Sequence, residues 1–177
     1  MRLILLRHGE TDWNKGARLQ GGKPTSLNET GISQVRSACV ALRREFEGRI
    51  AAIVTSPLLR AIQSAEICAE HFHMPFVVLN DLRERSFGEL EGRTKDDIRR
   101  DYDIDDVELV ATNAFGIEQE DDVLLRVKRA MDTLRARFAG QTVLAITHGS
   151  VIRLAAKSHN LSIGIIPNGS YIDLVVE

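Results

Sequence analysis

Two histidines end apolar runs, and each is followed by glycine: His8 in LILL-RHGET and His148 in LAIT-HGSV, with Arg7 directly before the first. An imidazole of ordinary pKa, about 6.5, offers a lone pair at neutral pH. A guanidinium stays charged and is costly to bury without an anion. Arg7 beside His8 therefore pairs a nucleophile with an anion seat. A salt bridge to a nearby carboxylate is the competing explanation for Arg7. In TSPLLRAIQSAEI (55–67) Arg60 falls in the first turn of a helix, where a cation opposes the helix dipole. It reads as a second arm of an anion clamp, against the alternative of an arginine reaching into solvent. His148 stands just ahead of a helix, whose first N–H groups attract anions. The glycines after both histidines let the backbone approach a ligand closely. Glu84, Glu89 and Glu91 crowd the glycine-punctuated turn LRERSFGELEG (82–92), and the residue types alone do not choose among them.

Positioning these groups requires strands that end at one edge. RLILL (2–6), AAIVT (51–55), FVVL (76–79), TVLAIT (142–147) and YIDLVV (171–176) read as strands, several apolar enough for burial on both faces. Between them, Ile32, Val35, Cys39, Leu42 and Phe46 share one helical face, as do Leu58, Ile62, Ala65, Ala69 and Phe72. Val123, Val127, Met131, Leu134 and Phe138 mark a third helix, and Val151, Ile152 and Ala155 a fourth. Ser56-Pro57 should open the second helix, with proline in its first turn. This alternation predicts an α/β three-layer sandwich, a mainly parallel sheet with helices on both faces. In such sheets ligands bind beyond the carboxyl ends of the strands, where Arg7, His8, Ser56 and His148 fall. Residues 93–122 are acidic and weakly periodic and read as an insertion or lid within a single domain spanning 1–177.

The chain has 177 residues, 44% hydrophobic and 27% charged, with a formal net charge of −2. That balance fits one soluble globular domain and argues against a nucleic-acid binder. No apolar run approaches the roughly 20 residues needed to cross a bilayer, and the N-terminal run is too short for a signal peptide. A cytoplasmic protein with no membrane partner is expected. Cys39 and Cys68 lack metal-ligand spacing and read as buried small hydrophobes. GARLQGGK (16–23) misplaces its lysine for a phosphate loop and has Pro24 where Ser or Thr is needed. HFH (71–73) has no third ligand nearby, so no metal is expected there.

The octet RHGETDWN resembles the signature of the histidine phosphatase superfamily, which includes cofactor-dependent phosphoglycerate mutases and many small phosphatases. RLQGG (18–22), SPLLRAIQSAE (56–66), LRERSFGELEG and THGSVIR (147–153) are similar to family segments in order and spacing, so the resemblance spans the whole chain. It implies that His8 is the nucleophile that becomes phosphorylated. Arg7, Arg60 and a protonated His148 would form the phosphate pocket, and Glu84 would be the proton donor and acceptor. Thr11, Asn14, Gln20, Gly21, Arg85 and Gly149 would be further phosphate or substrate contacts. No metal and no cofactor are implied, and the partner is a small phosphorylated substrate. A backbone carbonyl, that of Gly9 for instance, would hold the other ring nitrogen of His8.

Hydrolysis and phosphoryl relocation share such a pocket. Arg85 and Lys95 stand where mutases of the family carry basic contacts. Phe87 replaces their usual tyrosine, and Arg99-Arg100 lacks the Pro-rich context that follows the mutases' arginine pair. The chain also closes on YIDLVVE without a covering tail, and an open pocket should admit water. A phosphomonoesterase is therefore the expectation, with a mutase, a phosphoprotein phosphatase or a non-catalytic phosphate binder as alternatives. KPTSL (23–27) departs from the family pattern and leaves the pocket rim open to question. Oligomeric state carries no readable signal.

Overall fold

The computed structural model describes residues 1–46, 48–107, 110 and 114–176. Strand β1 (Arg2–Arg7) alternates perfectly between two apolar faces: Leu3 and Leu5 join one core, Ile4 and Leu6 the other. Strand β4 (Thr142–Thr147) does the same with Val143 and Ala145 against Leu144 and Ile146. A strand apolar on both faces must be covered on both, which places these two in the middle of the sheet. With β2 (Ile50–Thr55), β3 (Phe76–Val78) and β5 (Tyr171–Val175), the order is β3-β2-β4-β1-β5. All neighbours are parallel except β5, which runs antiparallel to β1 with Leu174 opposite Leu3. The expected α/β sandwich is the observed fold.

A short helix α1 (Asp12–Lys15) follows β1. Helices α2 (Glu29–Phe46) and α3 (Leu59–Phe72) cover one face of the sheet through Val35, Cys39, Leu42, Ala61, Ala65 and Cys68. Cys39 and Cys68 are free, buried and 3.4 Å apart where these two helices meet. The opposite face is covered by α5 (Glu120–Arg137) and α6 (Gly149–Ser158). Among the described residues, no helix is long and apolar enough to cross a membrane.

Two local expectations change. Pro57 is not in the first turn of α3: Leu58 is its N-cap with extended backbone, and Ser56-Pro57 precede the helix. Arg60 nevertheless falls in that first turn, as expected. Within 93–122 lies a helix that periodicity did not reveal, α4 (Lys95–Tyr102). Its single buried apolar residue, Ile98, is too sparse a signal, but Thr94 caps it by accepting from Asp97 N–H at 3.0 Å. Asp96 and Asp97 in its first turn and Arg99 and Arg100 in its last complement the dipole. Ile98 docks α4 onto Phe87, Leu90, Val107 and Ile117, a satellite core beside the LRERSFGELEG turn. Residues 108–109 and 111–113 of the proposed lid lie outside the described residues.

Candidate active site

Register brings the two histidines together. Arg7 and Thr147 are Cα partners in the parallel β1–β4 ladder, so His8 and His148 leave the sheet side by side. The His8 amide continues the ladder by donating to the Thr147 carbonyl, 3.0 Å, and the two rings lie 5.1 Å apart between centroids. Ser56 joins the same edge from β2, its amide donating to the Ile146 carbonyl. Two glycines then let the chain turn. A Cβ on Gly9 would meet the Gly31 carbonyl oxygen at 2.3 Å, and one on Gly31 would meet the Glu10 oxygen at 2.1 Å. Gly9 is thus required by the approach of α2.

His8 is buried, and its ring is held at both nitrogens. Nδ1–H donates to the Gly9 carbonyl at 2.7 Å, which leaves the lone pair on Nε2. Toward that lone pair points the Nε–H of Arg60, at 3.2 Å. Burial pushes the ring's pKa well below its ordinary value, the charges of Arg60 and Arg7 push it further, and the Gly9 carbonyl opposes them. His8 is therefore neutral.

Arg60 is 1% exposed, and α3 delivers its fork between loop carbonyls. Nη2 donates to Gly21 O at 2.8 Å, and Nη1 donates to Lys23 O at 3.0 Å and to Thr25 Oγ1 at 3.3 Å. The segment KPTSL, a departure in sequence, supplies two of these acceptors. Burial lowers the Arg60 pKa to about 10 against the pull of Glu84, so it stays charged at neutral pH.

His148 accepts from or donates to Ser56 Oγ through Nε2, at 2.7 Å. Ser56 Oγ also accepts from Leu58 N–H at 3.3 Å. His148 Nδ1 is buried and has no partner among the described residues. Burial first, then Arg60, His8, Arg7 and Arg126, hold His148 well below its ordinary pKa, the direction opposite to the imidazolium expected with a bound phosphate.

Arg7 donates from Nη1 to the Ile166 carbonyl, and its guanidinium carbon would lie 3.7 Å from a Cβ on Gly149. A Cβ there would stand at ordinary van der Waals distance from the cation, which packs against the start of α6. The loop before β5 holds this end of the site in a way the sequence did not reveal. Asn168 Nδ2 donates to the carbonyls of His8 (3.1 Å) and Gly9 (3.4 Å) and to Asn14 Oδ1 (3.2 Å). Gly169 N–H donates to the Arg7 and His8 carbonyls. No local pattern marks Asn168, because its partners lie some 160 residues away in the chain.

The three glutamates separate. Glu89 is exposed. Glu91 Oε1 pins loops by accepting from the amides of Gly22 and Phe87, at 3.0 and 3.1 Å. Glu84 is half-buried, accepts the Arg85 amide at 2.9 Å, and is the larger acidic influence on Arg60. Its segment is held by Arg126, 2% exposed on α5. Arg126 donates to the carbonyls of Asp81 (2.8 Å), Arg83 (2.6 Å) and Glu84 (3.2 Å), and pairs with Glu118 at 2.8 Å. Burial alone would raise the Glu118 pKa, but Arg126, the Ser86 amide and Arg83 hold it below the usual carboxylate value. A signal for Arg126 existed: a cation beside Val123 and Val127 on an otherwise apolar helical stripe.

The remaining expected contacts sit around this cluster. Thr11, buried, caps α1 by accepting from Asn14 N–H at 3.2 Å, while Asn14 Oδ1 accepts the Thr11 amide. Gln20 Oε1 accepts from the Thr11 hydroxyl at 3.0 Å. Gly21 contributes its carbonyl to Arg60. Arg85 is buried with Nε on the Glu118 carbonyl at 2.7 Å, on the wall of a neighbouring cavity.

Two guanidiniums, the buried His148 ring and an oriented neutral His8 imidazole are the kinds of donor and lone pair that phosphoryl transfer to a ring nitrogen would use. The model of the histidine phosphatase superfamily, branch 1, matches residues 3–165. A bifunctional protein of Mycobacterium tuberculosis is 39% identical over 156 residues, covering 86% of this chain and 42% of that protein. The chain thus spans under half the length of that relative. The phosphatase PhoE of Bacillus subtilis is 34% identical over 150 residues, with 85% and 72% covered. Further relatives include a metal-independent phosphoserine phosphatase and phosphoglycerate mutases. The solved structure of mycobacterial glucosyl-3-phosphoglycerate phosphatase with VO3 superposes with a TM-score of 0.88 at 29% identity, covering 98% of this chain and 90% of that one.

Proposed function

The chain belongs to the histidine phosphatase superfamily, branch 1, and from that premise we propose that it hydrolyses phosphomonoesters through a phosphohistidine on His8. The observation that carries the reading is the Nδ1–H bond from His8 to the Gly9 carbonyl, which leaves Nε2 unprotonated between Arg60 and His148. Arg7, Arg60 and His148 Nδ1–H bind the phosphoryl oxygens, whose negative charge grows equatorially during transfer. Nε2 attacks phosphorus in line as the bond to the leaving oxygen breaks, and a protonated Glu84 gives its proton to that oxygen. The phosphorylated ring becomes cationic, and the Gly9 carbonyl accepts its Nδ1–H throughout. Water then attacks phosphorus, Glu84 takes the water proton, and the P–Nε2 bond breaks to release inorganic phosphate and neutral His8. One carboxyl serves both halves in opposite directions.

This reading rests on this chain's own cations and needs no metal-bound water. Intact-mass and acid-labile labelling measurements after mixing with a phosphorylated substrate should give one phosphoryl group on wild type and none on His8→Ala. Phosphate release from a panel of phosphorylated metabolites with chelator present should persist. Isomerised phosphoglycerate without phosphate release would replace the phosphatase reading with the mutase one. Binding with neither label nor turnover would leave only a phosphate-binding module.

A further inference from the structure

Two thiols face each other in the helical layer that covers Ile4 and Leu6 of the sheet. Cys39 on α2 and Cys68 on α3 are free and wholly buried, and their sulfurs lie 3.4 Å apart. The proposed reaction uses neither. A disulfide bond is about 2.05 Å long, so each sulfur need travel only about 0.7 Å to form one, a distance that side-chain rotation covers. Four residues further along each helix, and so on the same faces as the thiols, stand Arg43 and Phe72. The Arg43 guanidinium lies 5.8 Å over the Phe72 ring and donates to the His71 carbonyl. With Gly48, Ile50 and Met74 these two line a cavity of about 380 Å³ at the C-terminal ends of the helices. Ile50, Phe72 and Met74 belong to the same apolar cluster as Cys39 and Cys68. The cavity thus abuts the packing that encloses the thiols.

Of the two sulfurs, Cys39 is the readier nucleophile. The hydrogen bond to Cys68 lowers the Cys39 pKa against burial, with help from the Arg43 charge, while the same bond and burial raise that of Cys68. We propose that Cys39 and Cys68 are a redox modification site, which a hydroperoxide converts to an intramolecular disulfide that clasps α2 to α3. The Cys39 thiolate attacks one peroxide oxygen, the O–O bond breaks, and the departing hydroxide takes up the thiol's proton as water. The Cys68 sulfur then attacks the sulfenic sulfur, the S–O bond breaks, and hydroxide leaves with the Cys68 proton as a second water. Two thiols lose two electrons in all, and one peroxide gains them. A dithiol reverses the change by exchange. Burial makes the step wait on local opening of the helix ends, so it is slow. The clasp ties together two supports of the turn after His8. Gln34 on α2 accepts the Glu10 amide at 2.9 Å, and Ser64 on α3 accepts the Gly9 amide at 3.2 Å.

Alkylation after denaturation counts the free thiols. Reduced wild type should take up iodoacetamide at both cysteines. After hours in millimolar hydrogen peroxide, removed before unfolding, it should take it up at neither, and after dithiothreitol at both again. Peptide mass mapping should find Cys39 joined to Cys68 in monomeric protein. A link between positions 29 apart restricts the unfolded chain, so the oxidised sample should melt about 5 °C or more above the same sample after dithiothreitol. Cys39→Ser and Cys68→Ser should each lack that difference, and the wild-type measurements decide the matter where a variant fails to fold. Four results overturn the proposal: thiols still alkylated after peroxide, a loss that dithiothreitol does not restore, a cross-link between chains, or a disulfide that lowers Tm. None of these readouts depends on turnover, so their failure leaves the phosphomonoesterase reading standing.

Discussion

The Nε–H of Arg60 donates to Nε2 of His8 at 3.2 Å, so the cation proposed to bind the phosphoryl group also covers the lone pair of the proposed nucleophile. In the proposed reaction a phosphate oxygen would offer that N–H a charged acceptor and release the lone pair. The same donor makes a proton on Nε2 unfavourable, which agrees with the depressed pKa of His8. Under that proposal, binding and activation of the nucleophile would be one event.

Arg60→Lys keeps the charge but loses the fork that meets Gly21, Lys23 and Thr25. Loss of one preorganised donor at a developing oxyanion costs on the order of 10²–10³ in rate. Steady-state kinetics should show kcat falling by about that factor while His8 still accepts a phosphoryl label slowly. A kcat within about threefold of wild type would contradict the role.

Acid should destabilise the fold well above the carboxylate range. His8 and His148 are both held neutral, with folded pKa values well below the ordinary 6.5 of the unfolded chain. Above about pH 6.5 neither state takes a proton, and the fold gains or loses nothing. Below it the unfolded chain binds protons that the fold refuses, so stability declines as pH falls toward the folded pKa values. The slope is up to about 1.4 kcal/mol per pH unit for each histidine. Denaturant midpoints at pH 7, 6 and 5, in buffers without phosphate, measure it, and His148→Gln should remove about half the slope. A midpoint constant across that window contradicts the account.

Arg126 presents Glu84 without touching His8. Arg126→Met leaves Glu118 buried without its main partner and frees three carbonyls, a loss of about 3–5 kcal/mol for a broken buried pair. Glu118→Gln with Arg126→Met should recover part of this in a double-mutant cycle. Because Glu84 would be misplaced, kcat should drop further than KM rises. Denaturant titration and kinetics on the same samples separate the two effects.

Asn168, which donates to the His8 and Gly9 carbonyls, would act as a positioning residue for the proposed nucleophile. Asn168→Asp replaces the donor with a carboxylate facing three oxygens, those of His8, Gly9 and Asn14. Displacement of the Gly9 carbonyl should loosen the His8 tautomer, visible as a mixed Nδ1–H and Nε2–H population in ¹⁵N-edited NMR. A shift of about 1 Å in a reacting group can cost some 10²-fold in rate. An unchanged tautomer with lost activity would assign Asn168 a purely structural part.

Much of the frame was legible because burial on two faces leaves a plain trace. LILL (3–6) and VLAI (143–146) carry no polar residue at either parity, so only the middle of a covered sheet accommodates them, and the groups that follow must emerge at its edge. Motif similarity then assigned roles to His8, Arg60, His148 and Glu84. It could not say that Gly9 is needed against Gly31, since that contact depends on how α2 crosses the end of β1. Nor could it foresee a neutral His148, because the desolvation and crowding of cations that remove its proton exist only after packing.

Order along the chain, by itself, determined which residues reach the sheet edge: periodicity of two and of 3.6 is a local property, written into neighbouring residues. Tertiary structure alone decided what those residues meet there. Arg126 steadies the loop bearing Glu84, and Asn168 grips the carbonyls behind His8. Each of these joins segments remote in sequence, and hydrogen-bond partners chosen across such distances leave no spacing to read.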